Sequence, residues 1–261
     1  MADEKPVPGR LWKYRAWNDH DRAKEFAANM IIHGELHFSS KKQLNDPFEY
    51  RWRDHYPKDP REIDAFVAEL VEKQFKNESH LRKAIHFRAL RQDVEERAQR
   101  HGGVSPTDTV ITAGVFSASG TEKDILMWSH YADHHHGICI GIRPSRVVGK
   151  RFLPVEYRDD IPIMNIWEHV KENPEFVIYS LFKSERWAYE AEWRTMDRKV
   201  GPLRFAGCVD RVVMGVEATR EMQDEVLRAV TESGQQIEVF KAVLSDWTYA
   251  IEIKPILMPE K

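Results

Sequence analysis

Two glutamates separated by one residue are the strongest candidates for chemistry in this sequence. Glu190 and Glu192 lie in the segment Trp187-Ala-Tyr-Glu-Ala-Glu-Trp-Arg194. If this segment is a strand, Glu190, Glu192 and Arg194 share one face, with the Cα atoms of the glutamates about 7 Å apart. Two carboxylates that close favour protonation of one of them, which is how general acid/base pairs are tuned. The alternative is an exposed face on which one Glu–Arg pair adds little to stability.

A group of histidines offers a second kind of site, one that binds a metal ion. His130 and His134 are four residues apart, so they would face the same side of a helix and could ligate a metal ion together. The alternative is a helix C-terminus, where imidazoles meet the negative end of the helix dipole. Gly137 follows directly and favours that alternative, so we predict no metal site.

Polar and aromatic side chains near residue 120 could hold a flat heteroaromatic ring. Ser117 ends an apolar segment, and Trp128, His130 and Tyr131 follow in the next predicted helix. Hydroxyl, indole, imidazole and phenol groups together suit such a ligand. The alternative is that these aromatic residues pack in the core. Near the N-terminus, Arg15 could hold a phosphate or a ribose edge, or it could lie on a surface strand.

The elements that must position these residues alternate between strands and helices. Periodicity and turn signals predict strands near 11–15, 36–38, 110–116, 137–142, 155–157, 190–196, 211–215, 237–243 and 249–253, and helices near 19–33, 121–132, 166–184 and 219–231. Two further helices form an insertion at about 58–103. We therefore predict an α+β protein with a single mixed sheet, in one domain over residues 1–261.

Composition excludes several classes of protein. The 261 residues carry 39 Lys plus Arg and 42 Asp plus Glu, a formal charge of −3, which argues against a nucleic-acid coat that works by charge alone. The two cysteines, Cys139 and Cys208, cannot build a disulfide framework or a cysteine-based zinc site. No apolar stretch approaches the roughly 18 residues of a membrane span, and the N-terminus has no apolar signal core. We expect no membrane association and a cytoplasmic protein.

Four short motifs resemble a large bacterial family catalogued as a domain of unknown function. They are Leu11-Trp-Lys-Tyr-Arg15, Leu44-Asn-Asp-Pro-Phe-Glu49, Leu126-Met-Trp-Ser-His-Tyr-Ala-Asp133 and the Trp187-to-Arg194 segment quoted above. The resemblance extends from about residue 10 to 255. It implies no activity by itself.

A looser resemblance connects the order of elements to the ADP-ribosyltransferase fold. Such enzymes carry an Arg or His on the first strand, a strand with Ser or Tyr contacts, and a catalytic Glu on a later strand, often within Glu-x-Glu. By that resemblance Arg15 meets a phosphate or ribose oxygen of NAD, Glu192 is the main catalytic residue, and Glu190 orients the acceptor. The chain departs from the family's pattern because His-Gly-Thr on the first strand and a Ser-Thr-Ser motif are both missing.

The same resemblance implies the remaining contacts to NAD. An aromatic residue stacks on nicotinamide, for which Tyr131 and Trp128 are the candidates. Tyr14 and His130 complete the site, and either Ser39 or Ser117 supplies the hydroxyl. Tyr14 lies in the first predicted strand, and Trp128, His130 and Tyr131 lie in the helix predicted near 121–132.

The expected function is that of an NAD-dependent ADP-ribosyltransferase or another NAD-consuming enzyme, such as a bacterial toxin or a phage-defence effector. Its partners would be NAD and a macromolecular acceptor, either protein or nucleic acid. Two alternatives stay open. One is a degenerate binding or regulatory module of the same fold. The other is a metal-dependent nuclease or hydrolase that uses the two glutamates with His130 and His134.

Overall fold

The computed structural model describes residues 5–99, 113–165 and 180–256. These residues fall into two compact units. The first lies within Met1–Pro47, Thr112–Tyr157 and Lys183–Lys261, and the second within Phe48–Ile111 and Arg158–Phe182. Among the described residues, no helix is both long enough and apolar enough to cross a lipid bilayer.

The strands and helices agree with the α+β class. The strands are β1 (Leu11–Arg15), β2 (Glu35–Phe38), β3 (Arg53–His55), β4 (Gly114–Ser119), β5 (Ile138–Ile142), β6 (Leu153–Pro154), β7 (Glu156–Arg158), β8 (Ile163–Asn165), β9 (Phe182–Ser184), β10 (Glu192–Asp197), β11 (Gly201–Arg204), β12 (Val209–Met214), β13 (Glu238–Leu244) and β14 (Ile251–Pro255). The helices are α1 (Ala23–His33), α2 (Pro60–Gln74), α3 (His80–Gln99), α4 (Ile125–Tyr131) and α5 (Arg220–Glu232).

A mixed sheet of eight strands organises the first unit, in the order β14-β13-β12-β5-β1-β4-β10-β6. Among the described strands of this sheet, only β12 and β13 pair in parallel. All five residues of β5 are buried because apolar side chains cover both faces of the sheet. Residues of α1 and α5, such as Met30 and Val226, share one apolar cluster with Ile140 of β5. On the opposite face, Trp128 of α4 packs with Tyr14 and Cys139.

The pairing of β1 with β4 is short, and this positions the candidate site. The two strands pair only at Trp12 and Ser119. Farther along β4, Val115 instead forms a bridge with Ser39, whose N–H and C=O both bond to Val115 at 2.8 Å. β1 and β4 therefore diverge after one residue pair. Side chains on β1 beyond Trp12 can enter the gap that opens between the two strands.

Local signals explain where α1 ends. The chain reverses at Gly34, which has φ +63° and donates its N–H to Asn29 O and Met30 O. A Cβ atom at this position would lie 2.2 Å from the carbonyl oxygen of Phe205, so only glycine fits. The predicted stop at Gly34 is therefore confirmed.

Two predicted elements are wrong in ways that matter for the site. Helix α4, which the sequence placed near 121–132, begins only at Ile125, with Asp124 as its N-cap, and ends at Tyr131. Positive φ angles at Asp133 and His134 show that the helix has already ended, so His130 and His134 do not share a helix face. The strand predicted from Glu190 begins only at Glu192.

Other predicted bounds shift without affecting the site. The strand expected at 110–116 occupies Gly114–Ser119, and residues 110–112 lie outside the described residues. Of the helix expected at 166–184, residues 166–179 also lie outside them, and Phe182–Ser184 is a strand.

In the second unit, the helical pair expected at 58–103 is present as α2 and α3. The two helices share a core that includes Phe66, Val67 and Val94.

Candidate active site

Two adjacent carboxylates joined by one lysine form the centre of the candidate site. Lys183 Nζ donates to Glu190 Oε2 at 2.5 Å and to Glu192 Oε2 at 3.2 Å. Arg194 donates two hydrogen bonds to Glu192, from Nε to Oε1 at 2.8 Å and from Nη2 to Oε2 at 3.0 Å. All four side chains are at most 7% exposed. The alternative of an exposed Glu–Arg pair is therefore excluded, and the carboxylates lie in a buried ion network.

The backbone gives the two glutamates different supports. Glu190 closes a 3-10 helix, Glu185–Glu190, and Ala191 follows in the left-handed region at φ 44°. Glu192 begins β10 and pairs with Ser119 of β4. The predicted common strand face is wrong for Glu190, because the turn at Ala191 rotates it out of the strand. Lys183 donates to both carboxylates and so holds them close together, which the predicted strand was expected to do.

The two carboxyl groups have opposite pKa shifts. Burial raises the pKa of Glu190, and the charge of Glu192 raises it further, although Lys183 acts in the other direction. Burial would also raise the pKa of Glu192, but the charges of Arg194 and Lys183 outweigh it and hold that pKa well below its usual range. One carboxyl is thus suited to exchange protons while its neighbour stays ionised.

Two tyrosines contact the two glutamates, one at a carboxylate and the other at the backbone. Tyr131 Oη donates to Glu190 Oε1 at 2.5 Å and accepts from Asn45 Nδ2 at 2.7 Å. Burial raises the pKa of Tyr131, and its bond to Glu190 raises it further. Tyr157 Oη accepts from the backbone N–H of Glu192 at 2.7 Å. The predicted residue Tyr131 therefore contacts a predicted catalytic residue directly.

The other predicted residues divide between the site and the core. Trp128 is fully buried, its indole N–H donates to Glu122 O at 2.8 Å, and it meets Tyr14 edge-on with ring centroids 5.2 Å apart. Tyr14 is 4% exposed and donates to Thr121 O. Neither aromatic ring presents an open face to a ligand, and both pack in the apolar cluster between α4 and the sheet. His130 is exposed and its Nδ1 lies 3.1 Å from Tyr189 Oη.

Of the two candidate serines, Ser117 is the one associated with the carboxylates. It pairs with Arg194 in the sheet and lowers the pKa of Glu192, although its hydroxyl has no hydrogen-bond partner of good geometry within the described chain. Ser39 contributes its backbone to the bridge with Val115. Arg15 lies on β1 at the gap between β1 and β4, with Lys13 two residues away.

Lys183 begins the motif that contains both glutamates, which it precedes by seven and nine residues, but the sequence analysis assigned it no role. Its Nζ also lies 4.9 Å above the Trp187 ring, which is half-buried. An available signal was Lys183 followed by Trp187 within the same short motif. In the parts of the chain that the structure describes, no group of three or more His, Cys, Asp or Glu side chains could hold a metal ion.

The site coincides with the region of the chain that a family model recognises. A model described as "Protein of unknown function (DUF2971)" matches residues 127–195. This span includes Tyr131, Lys183, both glutamates and Arg194, and the expected similarity to an uncharacterised family is confirmed. No curated protein and no solved structure matches the chain.

Proposed function

We propose that this protein cleaves the bond between nicotinamide and ribose in NAD and transfers the ADP-ribosyl group to an acceptor. The observation that carries the proposal is the Lys183-bridged pair of carboxylates with opposite pKa shifts. Glycosidic bonds break through an oxocarbenium-like state, and pairs of carboxyl groups with separate protonation states serve such reactions.

Glu192 is suited to stabilise the positive charge that develops on the ribose. It stays ionised, is fixed by Arg194 and Lys183, and needs no reorganisation when the charge appears. In this step the bond from the anomeric carbon to nicotinamide breaks, and nicotinamide leaves with the bonding electron pair. Arg194 and Lys183 reduce the net negative charge that Glu192 presents, but they hold its orientation.

Glu190 is suited to take the proton of the acceptor. Its raised pKa makes it a better base than an ordinary carboxylate, and Tyr131 and Lys183 fix both of its oxygens. An acceptor oxygen or nitrogen bonds to the anomeric carbon as its proton passes to Glu190. Protein, nucleic acid and water all fit this step.

The second candidate function is that of a non-catalytic binding or regulatory module. One observation favours it, since both oxygens of Glu192 are already engaged by cationic side chains. In that case the ion network stabilises the fold and turns over no substrate. The two candidates differ in whether NAD is consumed.

The test is nicotinamide release from NAD by the purified protein, with and without cell lysate as a source of acceptor. Glu192→Gln should lower the rate about 10²–10³-fold, the usual effect of losing one fixed electrostatic contact to the transition state. Glu190→Gln should impair transfer to the acceptor more than nicotinamide release. Glu238→Gln is the matched control, because the side chain of Glu238 is exposed and pairs with Arg211 on a neighbouring strand.

Because Glu192 is buried and paired, substitution can also destabilise the fold. Each rate is therefore divided by the folded fraction measured by circular dichroism. Wild-type protein that releases no nicotinamide under any of these conditions would favour the binding module. A folded Glu192→Gln variant with an unchanged rate would remove Glu192 from the mechanism.

A further inference from the structure

A surface pocket of about 470 Å³ opens at the end of the large sheet where β12 and β13 begin. Its charged lining consists of Arg10, Arg143, Arg211, Asp210 and Glu238, and we call it the arginine pocket. Three guanidinium groups share two carboxylates, so one positive charge in the pocket is unbalanced, although the whole chain has a formal charge of −3. A concave site with excess positive charge attracts anions.

Ion pairs fix the three guanidinium groups without using all of their donors. Arg10 donates to both oxygens of Asp210, at 2.8 Å and 2.6 Å, and Arg143 Nε donates to Asp210 Oδ2 at 2.5 Å. Arg211 donates from Nε and Nη2 to Glu238 Oε2, at 3.0 Å and 2.6 Å. Within the described chain, Nη1 of each arginine and Nη2 of Arg143 donate no hydrogen bond. Each arginine therefore keeps N–H groups that a ligand can use.

Packing against the sheet holds two of these arginines in place. Cζ of Arg10 lies 5.5 Å from the centroid of the Trp12 ring, and Cζ of Arg211 lies 4.2 Å from that of the Phe240 ring. A Cβ atom on Gly141 of β5 would lie 2.7 Å from Cδ of Arg10, so the glycine leaves the space that Arg10 occupies. Donors that are fixed before a ligand arrives lose less conformational freedom when it binds.

The arginine pocket is separate from the buried ion network around Glu192. Arg211 and Glu192 lie in one row of paired residues that crosses β12, β5, β1, β4 and β10. Neighbouring strands are about 4.8 Å apart, so the Cα atoms of these two residues are about 19 Å apart. A ligand in the arginine pocket needs no contact with Glu192, and its binding is independent of the proposed function.

We propose that the arginine pocket binds the phosphate group of a small molecule. Planar guanidinium forks match phosphate oxygens, and a tetrahedral phosphate presents its oxygens in several directions, so that three arginines can reach it together. A carboxylate presents two oxygens in one plane and engages fewer of these donors. Ligand pockets usually measure about 300–1,000 Å³, so this one has room for an organic group attached to the phosphate.

The test is an NMR titration of the purified protein with inorganic phosphate at constant ionic strength, which follows the arginine Nε–Hε signals. The signals of Arg10, Arg143 and Arg211 should shift along one saturating curve. Arg143→Gln should weaken phosphate binding about tenfold or more, the usual effect of losing hydrogen bonds to a charged group. Asp210 keeps both bonds from Arg10 in this variant, so the fold should be retained.

Two further variants sharpen the test. Glu238→Gln removes a negative charge from the pocket and releases Arg211, so it should strengthen phosphate binding about two- to fivefold. Arg204→Gln is the control for loss of one arginine charge, because Arg204 is 66% exposed and pairs with Glu35 outside the pocket. It should bind phosphate as tightly as wild type.

If Arg143→Gln does not fold, Arg211→Gln provides the same test, because its partner Glu238 is exposed. Equal phosphate affinity in wild type and in a folded variant of either arginine would overturn the proposal, as would wild-type signals that do not saturate. Acetate at the same ionic strength should bind about tenfold more weakly than phosphate. Acetate that binds as tightly as phosphate would overturn the assignment of the ligand class.

Discussion

Replacing Lys183 with methionine tests whether one lysine holds the two carboxylates. The change removes hydrogen bonds of 2.5 Å and 3.2 Å and the contact with the Trp187 ring, while keeping a side chain of similar length. Glu192 retains Arg194 as a partner. Among the described residues, the carboxylate of Glu190 then retains only the hydroxyl of Tyr131, so Glu190 loses more of its hydrogen bonding than Glu192 does.

The expected loss of stability depends on pH. Removing one partner of a buried ion pair costs about 3–5 kcal/mol if the other stays charged. Glu190 will instead become protonated, which costs about 1.4 kcal/mol for each pH unit between its new pKa and the solution pH. Losing Lys183 removes a charge that lowers the pKa of Glu190, so the loss of stability should be larger at pH 8 than at pH 5. At pH 5 this protonation costs less, and the loss approaches about 1 kcal/mol, which comes from lost packing and cation–π contact.

The direction of this pH dependence follows from the linkage between protonation and folding. A carboxyl whose folded-state pKa lies above its unfolded value favours the fold at low pH, and this contribution is lost as pH rises through the folded value. Urea denaturation at pH 5 and pH 8, followed by circular dichroism, measures the difference. Glu190→Gln in the Lys183→Met background should recover about 1–2 kcal/mol at pH 8, because no carboxylate is then left unpaired.

Lys254→Met is the control, since Lys254 is 61% exposed and its nitrogen lies 3.7 Å from Glu252. It should change stability by less than about 0.5 kcal/mol at either pH. An equal loss at pH 5 and pH 8 for Lys183→Met, with no recovery in the double variant, would refute the electrostatic reasoning.

The other predictions concern stability and use the same denaturation assay. Asp210→Asn should cost about 1–3 kcal/mol at pH 7, because Asp210 accepts from both Arg10 and Arg143. Burial raises the pKa of Asp210 but the two arginines lower it more, so the loss should disappear as pH falls through its folded value; a loss that persists there would contradict the assignment. Gly34→Ala should cost more than about 1 kcal/mol at every pH, and a neutral effect would contradict the turn geometry. Lys13→Met should stabilise the fold more at pH 6 than at pH 9, because Lys13 is charged and unpaired only at the lower pH; a stabilisation that is equal at both would contradict this.

Local patterns in the sequence predict much of the fold. The alternation around Trp12 gives β1, the glycine at position 34 ends α1, and the apolar run before Ile142 gives the buried strand β5. Each of these features depends on neighbouring residues only. The start of α4 at Ile125 is not visible locally, because Thr121 and Asp124 are both of a residue type that caps helices.

The candidate site is less accessible to such reasoning. The two glutamates stand out by spacing, but Ala191 gives no sign that it adopts a left-handed conformation. The role of Lys183 depends on how the 3-10 helix returns Glu190 to it, which no local signal in the sequence indicates. Trp128 could equally contact a ligand or fill the core by residue type, and only its burial shows that it packs in the core.

The most direct test of the central claim is a carbon-13 NMR titration of the glutamate carboxyl groups, with Glu190→Gln and Glu192→Gln used to assign the two signals. Because the groups interact, the titration gives apparent pKa values for the pair. The account predicts one value well below the ordinary value of about 4.3 and one above it, with the lower one belonging to Glu192. Two values near about 4.3 would contradict the division of protonation between the carboxylates, and with it the proposed mechanism.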